Sequence, residues 1–130
     1  HLAVATLHSN NAAETLDRII NFFPDDQHAQ VYMDLSQYLR AIISQRLVRS
    51  VDGQRVAAME IMLNTPRIAE LIQRGDVSKV KESFRDSTEQ GMQTFDQALL
   101  KLYKDGKVSM EEALATADSR SNLEAQIHFA

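Results

Sequence analysis

The chain opens on His1-Leu2-Ala3-Val4-Ala5-Thr6-Leu7-His8-Ser9-Asn10-Asn11, and the fold is read outward from this stretch. A continuous apolar run that ends in the polar cluster His8-Ser9-Asn10-Asn11 predicts a strand buried on both faces. Such strands belong to parallel sheets with a neighbour on each side. The rest of the chain offers one further strand pair, and that pair reads as a hairpin. A central strand without its sheet leaves backbone groups unpaired and apolar side chains bare. The expectation is therefore the C-terminal portion of a larger α/β protein, divided inside its sheet and starting at His1 rather than at Met. The alternative is a complete small domain whose first strand is an ordinary edge.

Composition narrows the classes. The 130 residues are 44% hydrophobic and 25% charged, with 14 Lys+Arg against 18 Asp+Glu and a formal net charge of -4. That length fits one domain with a real core. The mildly acidic balance argues against a broad nucleic-acid surface. No apolar run approaches the roughly 18 residues that span a bilayer, so the chain reads as not membrane-spanning. With Cys at 0, disulfides, thiolate zinc sites and thiol catalysis are excluded. A cytoplasmic, helix-rich domain is what remains.

Local signals punctuate the chain. Asn11-Ala12-Ala13-Glu14 is a capping-box-like start for a helix that buries Leu16, Ile19, Ile20 and Phe23 and stops at Pro24. A second and longest helix, about Asp26 to Arg46, places Val31, Leu35, Tyr38, Leu39, Ile42 and Ile43 on one stripe, as the spine of the core. Val48-Arg49-Ser50-Val51, then Asp52-Gly53, then Arg55 to Leu63 predict a hairpin whose two central turn residues take positive φ. Thr65-Pro66 starts a short helix that ends at Gly75, and Asp76 caps the next, which Gly91 closes. Thr94 to Gln97 and Ser109 to Glu112 are further capping boxes, and between them Phe95, Leu99, Leu102 and Tyr103 form an apolar face. A docked last helix is expected from about Asp118 to Phe129.

Few residues offer chemistry. The four histidines are His1, His8, His28 and His128. On one extended strand His1 and His8 stand roughly 23 Å apart and on opposite faces, which opposes a shared metal ion. His8 sits where a buried strand gives way to a helix, the kind of strand end that ligand sites in α/β sheets favour; the plain alternative is a His that packs the loop. His28 and His128 read as solvated. Glu60 shares a strand face with Val56, Ala58 and Met62, so it is expected either to be paired, with Arg46, Arg49 or Arg55 as its partner, or to have a raised pKa. A structural ion pair is the expectation; facing a phosphate, as Arg often does, is the alternative for the same arginines. No Gly-rich phosphate loop, Ser/His/Asp constellation or metal-ligand spacing occurs.

A resemblance extends this reading. His1 to Ala13, with Thr15-Leu16-Asp17-Arg18-Ile19-Ile20 and Phe22-Phe23-Pro24, resembles the "histidine box" region of the secretion ATPases, the motors of type II secretion and type IV pili. Arg55 to Met62 and Gly91 to Leu99 look like the pilus retraction branch, the PilT/PilU family. Two departures point to its PilU side. Met59 stands where PilT-type motors usually carry His, and Pro66 to Arg74 keeps only the Leu-Ile core of their Ala-Ile-Arg-Asn-Leu-Ile-Arg-Glu motif.

The resemblance implies an intact protein with a P-loop RecA-like α/β fold. This chain is its mostly α end, with one N-terminal strand, a β-hairpin and a C-terminal helical bundle. Residues 1–63 would be the last part of the ATPase domain and 64–130 the C-terminal helical region. It implies a hexameric, ATP-hydrolysing ring for pilus retraction and twitching motility, as an accessory motor beside a PilT-type motor. Its place would be the cytoplasmic face of the inner membrane, on the pilus platform. ATP and Mg2+ would serve the full-length protein, with the phosphate loop, acidic motifs and a PAS-like domain preceding residue 1. The 130 residues alone would bind no cofactor and be inactive. His8 and His1 would be the two histidines of the box, with His8 nearer the phosphates, and Arg67, Ile68, Leu71, Ile72 and Arg74 would form the motor-coupling motif. A different class remains beside this one: a non-catalytic helical adaptor that docks a partner through the face carrying Leu71, Ile72 and Phe84.

Overall fold

A computed structural model describes residues 1–85, 87 and 90–129. The strand expected over His1–Leu7 is not formed. Residues 1–9 carry no regular secondary structure, and Leu2 and Val4 are 83% and 87% exposed. A strand needs a neighbour's backbone, and among the described residues the sheet holds only the two strands of the hairpin.

Helix α1, Ala12–Asn21, begins where the cap signal places it: Asn11 Oδ1 accepts the Glu14 N–H at 2.8 Å. The reciprocal bond is displaced by one residue, with Glu14 Oε2 accepting the Asn10 N–H at 3.1 Å. Leu16 and Ile20 are buried, but Ile19 is only half-buried and Phe23 faces solvent.

The long second helix is a correction. A 3-10 turn at Asp25–Gln27 leads into α2, His28–Tyr38, and the chain then becomes strand β1, Ala41–Arg49. Leu39 is extended, at φ -61° and ψ 135°. Asn64 Nδ2 donates to the Leu35, Ser36 and Leu39 carbonyls at 3.5, 3.1 and 2.9 Å, satisfying groups that a longer helix would have bonded itself. Ile42 and Ile43 were expected on one helical stripe; in the strand they take opposite faces, Ile42 buried and Ile43 63% exposed. Tyr38 is exposed, and α2 is no spine, since Ser36 is its one buried residue.

Strand β2, Arg55–Leu63, pairs antiparallel with β1 from Arg49↔Arg55 to Ala41↔Leu63. The turn differs from the expected two-residue form. Ser50 C=O accepts from Gly53 N–H and Ser50 N–H donates to Gln54 C=O, which closes a three-residue loop. Only Gly53 of the loop has positive φ, at +82°, as such loops require at their last position.

Among the described residues, five helices follow. Helix α3, Pro66–Gln73, is capped by Thr65, whose Oγ1 accepts from Ile68 N–H at 3.4 Å. Helix α4 is Val77–Arg85; its expected continuation toward Gly91 passes through residues outside those described. Helix α5, Phe95–Lys104, carries a complete capping box between Thr94 and Gln97. Helix α6, Met110–Thr116, is capped by Ser109, and α7, Arg120–Phe129, buries Leu123 and leaves Phe129 exposed.

The core has two clusters, and the inner face of the hairpin serves both. Ile42 and Met62 join Leu16, Leu71, Ile72 and Phe84 in one; Val48 and Ala58 join Phe95, Leu99, Leu114 and Leu123 in the other. Between them the same face is polar, with Ser44 opposite Glu60 and Arg46 opposite Ala58. A Cβ at position 53 would meet nothing within 4 Å, so Gly53→Ala tests backbone strain alone. It should lower the unfolding free energy by about 1 kcal/mol in urea titration, without changing the fold.

Candidate functional site

The polar middle of the hairpin face is where the N-terminal segment meets the last helices. Arg46, on β1, is its centre. Its Nη1 lies 2.7 Å from Asp118 Oδ1 and donates to the Thr116 carbonyl at 3.1 Å, while Nη2 donates to the Asn10 carbonyl at 3.4 Å. The guanidinium carbon sits 3.9 Å from the centre of the Phe95 ring. Lys81, on α4, approaches the other Asp118 oxygen at 2.5 Å. The side chains of Arg46 and Asp118 are 20% and 16% exposed, so the pair is partly withdrawn from water. Burial pushes the Asp118 carboxyl up, but hydrogen bonds from Lys81 and Arg46 outweigh it and hold it below its ordinary value. Asp96, on α5, accepts the Asp118 and Ser119 N–H groups at 2.8 and 3.0 Å, fixing the joint between α6 and α7.

Glu60 is 1% exposed. It is not in the ion pair expected of it: Arg46 pairs with Asp118, while Arg49 and Arg55 lie on the exposed end of the hairpin. The partner of Glu60 is instead backbone. Oε1 accepts the Ala12 N–H at 2.9 Å, at the first residue of α1, and Oε2 has no hydrogen bond among the described residues. Burial raises the Glu60 carboxyl pKa; the Ala12 N–H and the charges of Lys81 and Arg46 oppose that rise, and Asp118 adds to it.

His8 lies four residues before Ala12. It is exposed and lines a shallow depression of about 380 Å³ with Leu7, Ser9, Asn10, Glu14 and Arg18. Glu14 bridges Asn10 N–H and Arg18, and these bonds lower its pKa. His1 is exposed and is not among the lining residues, so the two histidines do not share this depression.

The expected coupling motif divides by chemistry. Ile68, Leu71 and Ile72 are core, whereas Arg67 and Arg74 lie on the surface and pair with Glu70 at 3.1 and 2.6 Å. Leu71, Ile72 and Phe84, the docking face of the adaptor reading, are all buried, which removes that face. Among the described residues no group of three or more acidic, His or Cys side chains is placed to hold a metal ion. No helix among them is long and apolar enough to cross a membrane. Sequence reasoning did not single out Asp118, Lys81 or Asp96, because Asp118 meets Arg46, Lys81 and Asp96 across long stretches of chain.

Comparison with known proteins fits this architecture. Residues 1–54 match the family described as type II/IV secretion system protein. That match takes in 54 of the 130 residues. The chain is 55% identical over 98% of its length to the type IV pilus ATPase PilU of Pseudomonas aeruginosa. It is 39% identical over 94% of its length to the retraction ATPase PilT of the same organism. It covers 34% and 36% of those two relatives, about a third of their length. A crystal structure of the pilus retraction motor PilT with bound ADP superposes with a TM-score of 0.80 at 37% identity, covering 92% of this chain and 33% of that one.

The charges at this junction can be tested directly. Arg46→Lys keeps one charge but not the forked bonds or the ring contact, and should lower the unfolding free energy by about 2 kcal/mol in urea. The pH dependence should show two opposed limbs. Glu60 has a folded pKa above its ordinary 4.5, so stability falls as pH rises from there through the folded value, and Glu60→Gln removes that limb. Asp118 has a folded pKa below its ordinary 3.8, so its contribution is present above that value and is lost as pH falls through the folded one.

Proposed function

We propose that this chain is the C-terminal third of a ring-forming ATPase that retracts type IV pili, acting as an accessory PilU-type motor with a PilT-type partner. The observation that carries this reading is the 55% identity to PilU over 98% of the chain. In the intact protein, ATP binds a RecA-like domain of which residues 1–63 are the last part, and residues 64–130 pass ring motion to the pilus platform at the inner face of the inner membrane. ATP binding at a subunit edge shifts packed elements, and the resulting ring deformation draws pilin subunits back.

His8 is the residue we assign to the nucleotide side. An imidazole exposed on the segment before α1 can donate to a terminal phosphate and stabilise the charge that develops there. His1 is the second histidine of the pair. Arg67, Ile68, Leu71, Ile72 and Arg74 carry the coupling role through α3, the apolar three by packing and the two arginines from the surface. Residues 1–130 contain no Gly-rich phosphate loop, so the piece alone neither binds nor hydrolyses ATP.

Reading the gene upstream of His1 is the direct test: it should encode a Gly-rich phosphate loop, and its absence would overturn the proposal. In the full-length protein, His8→Ala should lower ATP turnover about tenfold or more while leaving circular dichroism unchanged. Wild-type turnover in that variant would remove His8 from the site.

A further inference from the structure

Glu60 is an expensive residue for its place. Its neighbours along the inner face are Ala58 and Met62, an apolar side chain would fit the same ladder position, and one of its oxygens is buried without a partner. What it holds is the start of α1. We propose that Glu60 and Arg46 are positioning residues that tether the segment carrying His8 to the hairpin and, through Asp118 and Lys81, to the C-terminal helices. This inference rests on the motor reading and deepens it.

The geometry is a two-point clamp around Asn11. The carbonyl of Asn10, just before it, takes the Arg46 guanidinium at 3.4 Å, and the N–H of Ala12, just after it, goes to Glu60 at 2.9 Å. Asn11 itself caps α1. Arg46 and Glu60 sit on facing strands, with Arg46 opposite Ala58, so the two anchors are diagonal neighbours on one rigid ladder. The other end of the Arg46 guanidinium holds Asp118 and the last turn of α6, and Asp118 holds Lys81 on α4. A shift of α4 or of the joint between α6 and α7 therefore pulls on Arg46, and through it on the backbone two residues from His8. Among the described residues the arginines of the coupling motif have no such route, since Arg67 and Arg74 both pair with Glu70 on α3. Among the described residues Lys81, Asp118 and Arg46, members of the same clamp, act on the Glu60 charge.

The test uses the full-length protein that carries this chain, with Glu60→Ala, which deletes the acceptor, and Glu60→Gln, which keeps it. For assembled, folded enzyme, Glu60→Ala should lower kcat for ATP about tenfold with KM within about twofold, and Glu60→Gln should stay within about threefold of wild type. A purely structural Glu60 would reduce the yield of folded protein and leave kcat per folded ring unchanged. Wild-type kcat in Glu60→Ala, or an equal loss in Glu60→Gln, would overturn the proposal. If Glu60→Ala does not fold, amide hydrogen exchange on the full-length protein decides. The Ala12 N–H should be protected in both wild type and Glu60→Gln, and an unprotected Ala12 N–H in the wild type would overturn the tether. A wild-type protein that hydrolyses no ATP sinks the motor reading instead, and the exchange experiment still reads the clamp.

Discussion

The position of the Arg46 guanidinium organises this molecule. The hairpin offers one inner face to two hydrophobic clusters, and that face is apolar at each end and polar in the middle. Where the clusters part, three backbone or carboxylate acceptors converge on one planar donor from the N-terminal segment, the end of α6 and the joint before α7. A planar, forked, permanently charged group can meet several acceptors at once while stacking on Phe95; an ammonium could not. The clusters can therefore pack on opposite halves of one ladder and still be held in a defined relation.

The same location explains why a carboxylate is tolerated in the core. Glu60 faces the first turn of α1, where unpaired N–H groups and the helix dipole favour negative charge. Its second oxygen remains unmet, so burial still prevails in its protonation balance. Asp118, less withdrawn and held by two cations, goes the other way. Two carboxylates near one arginine thus titrate in opposite directions because one is answered by cations and the other chiefly by a backbone amide.

Much of the candidate site is legible in part from residues alone. His8 stands out in the sequence as the polar residue ending an apolar run, and the family relatives span it. Glu60 is recognisable as a buried acid from its alternation with Val56, Ala58 and Met62, but its partner is not, because the Ala12 N–H lies 48 residues away. Arg46 is one of several arginines near the hairpin; what distinguishes it is a carbonyl 70 residues on. The stretch from Leu39 to Arg46 reads wrongly as helix for a related reason. Ile42 and Ile43 suit a helical stripe and a strand equally, and pairing with β2 settles the matter only once β2 is in place.

What residues alone determined here are the features built from atoms three or four positions apart. The Asn11, Thr65, Thr94 and Ser109 caps, the proline that opens α3 and the glycine that closes the hairpin loop are all satisfied locally, so their chemistry is complete within a short window. What only the tertiary structure decided are the identity of β1 and the partners of Glu60 and Arg46. Each depends on a backbone or side-chain group brought from far along the chain, and no local preference is strong enough to specify a contact whose other half has not yet arrived.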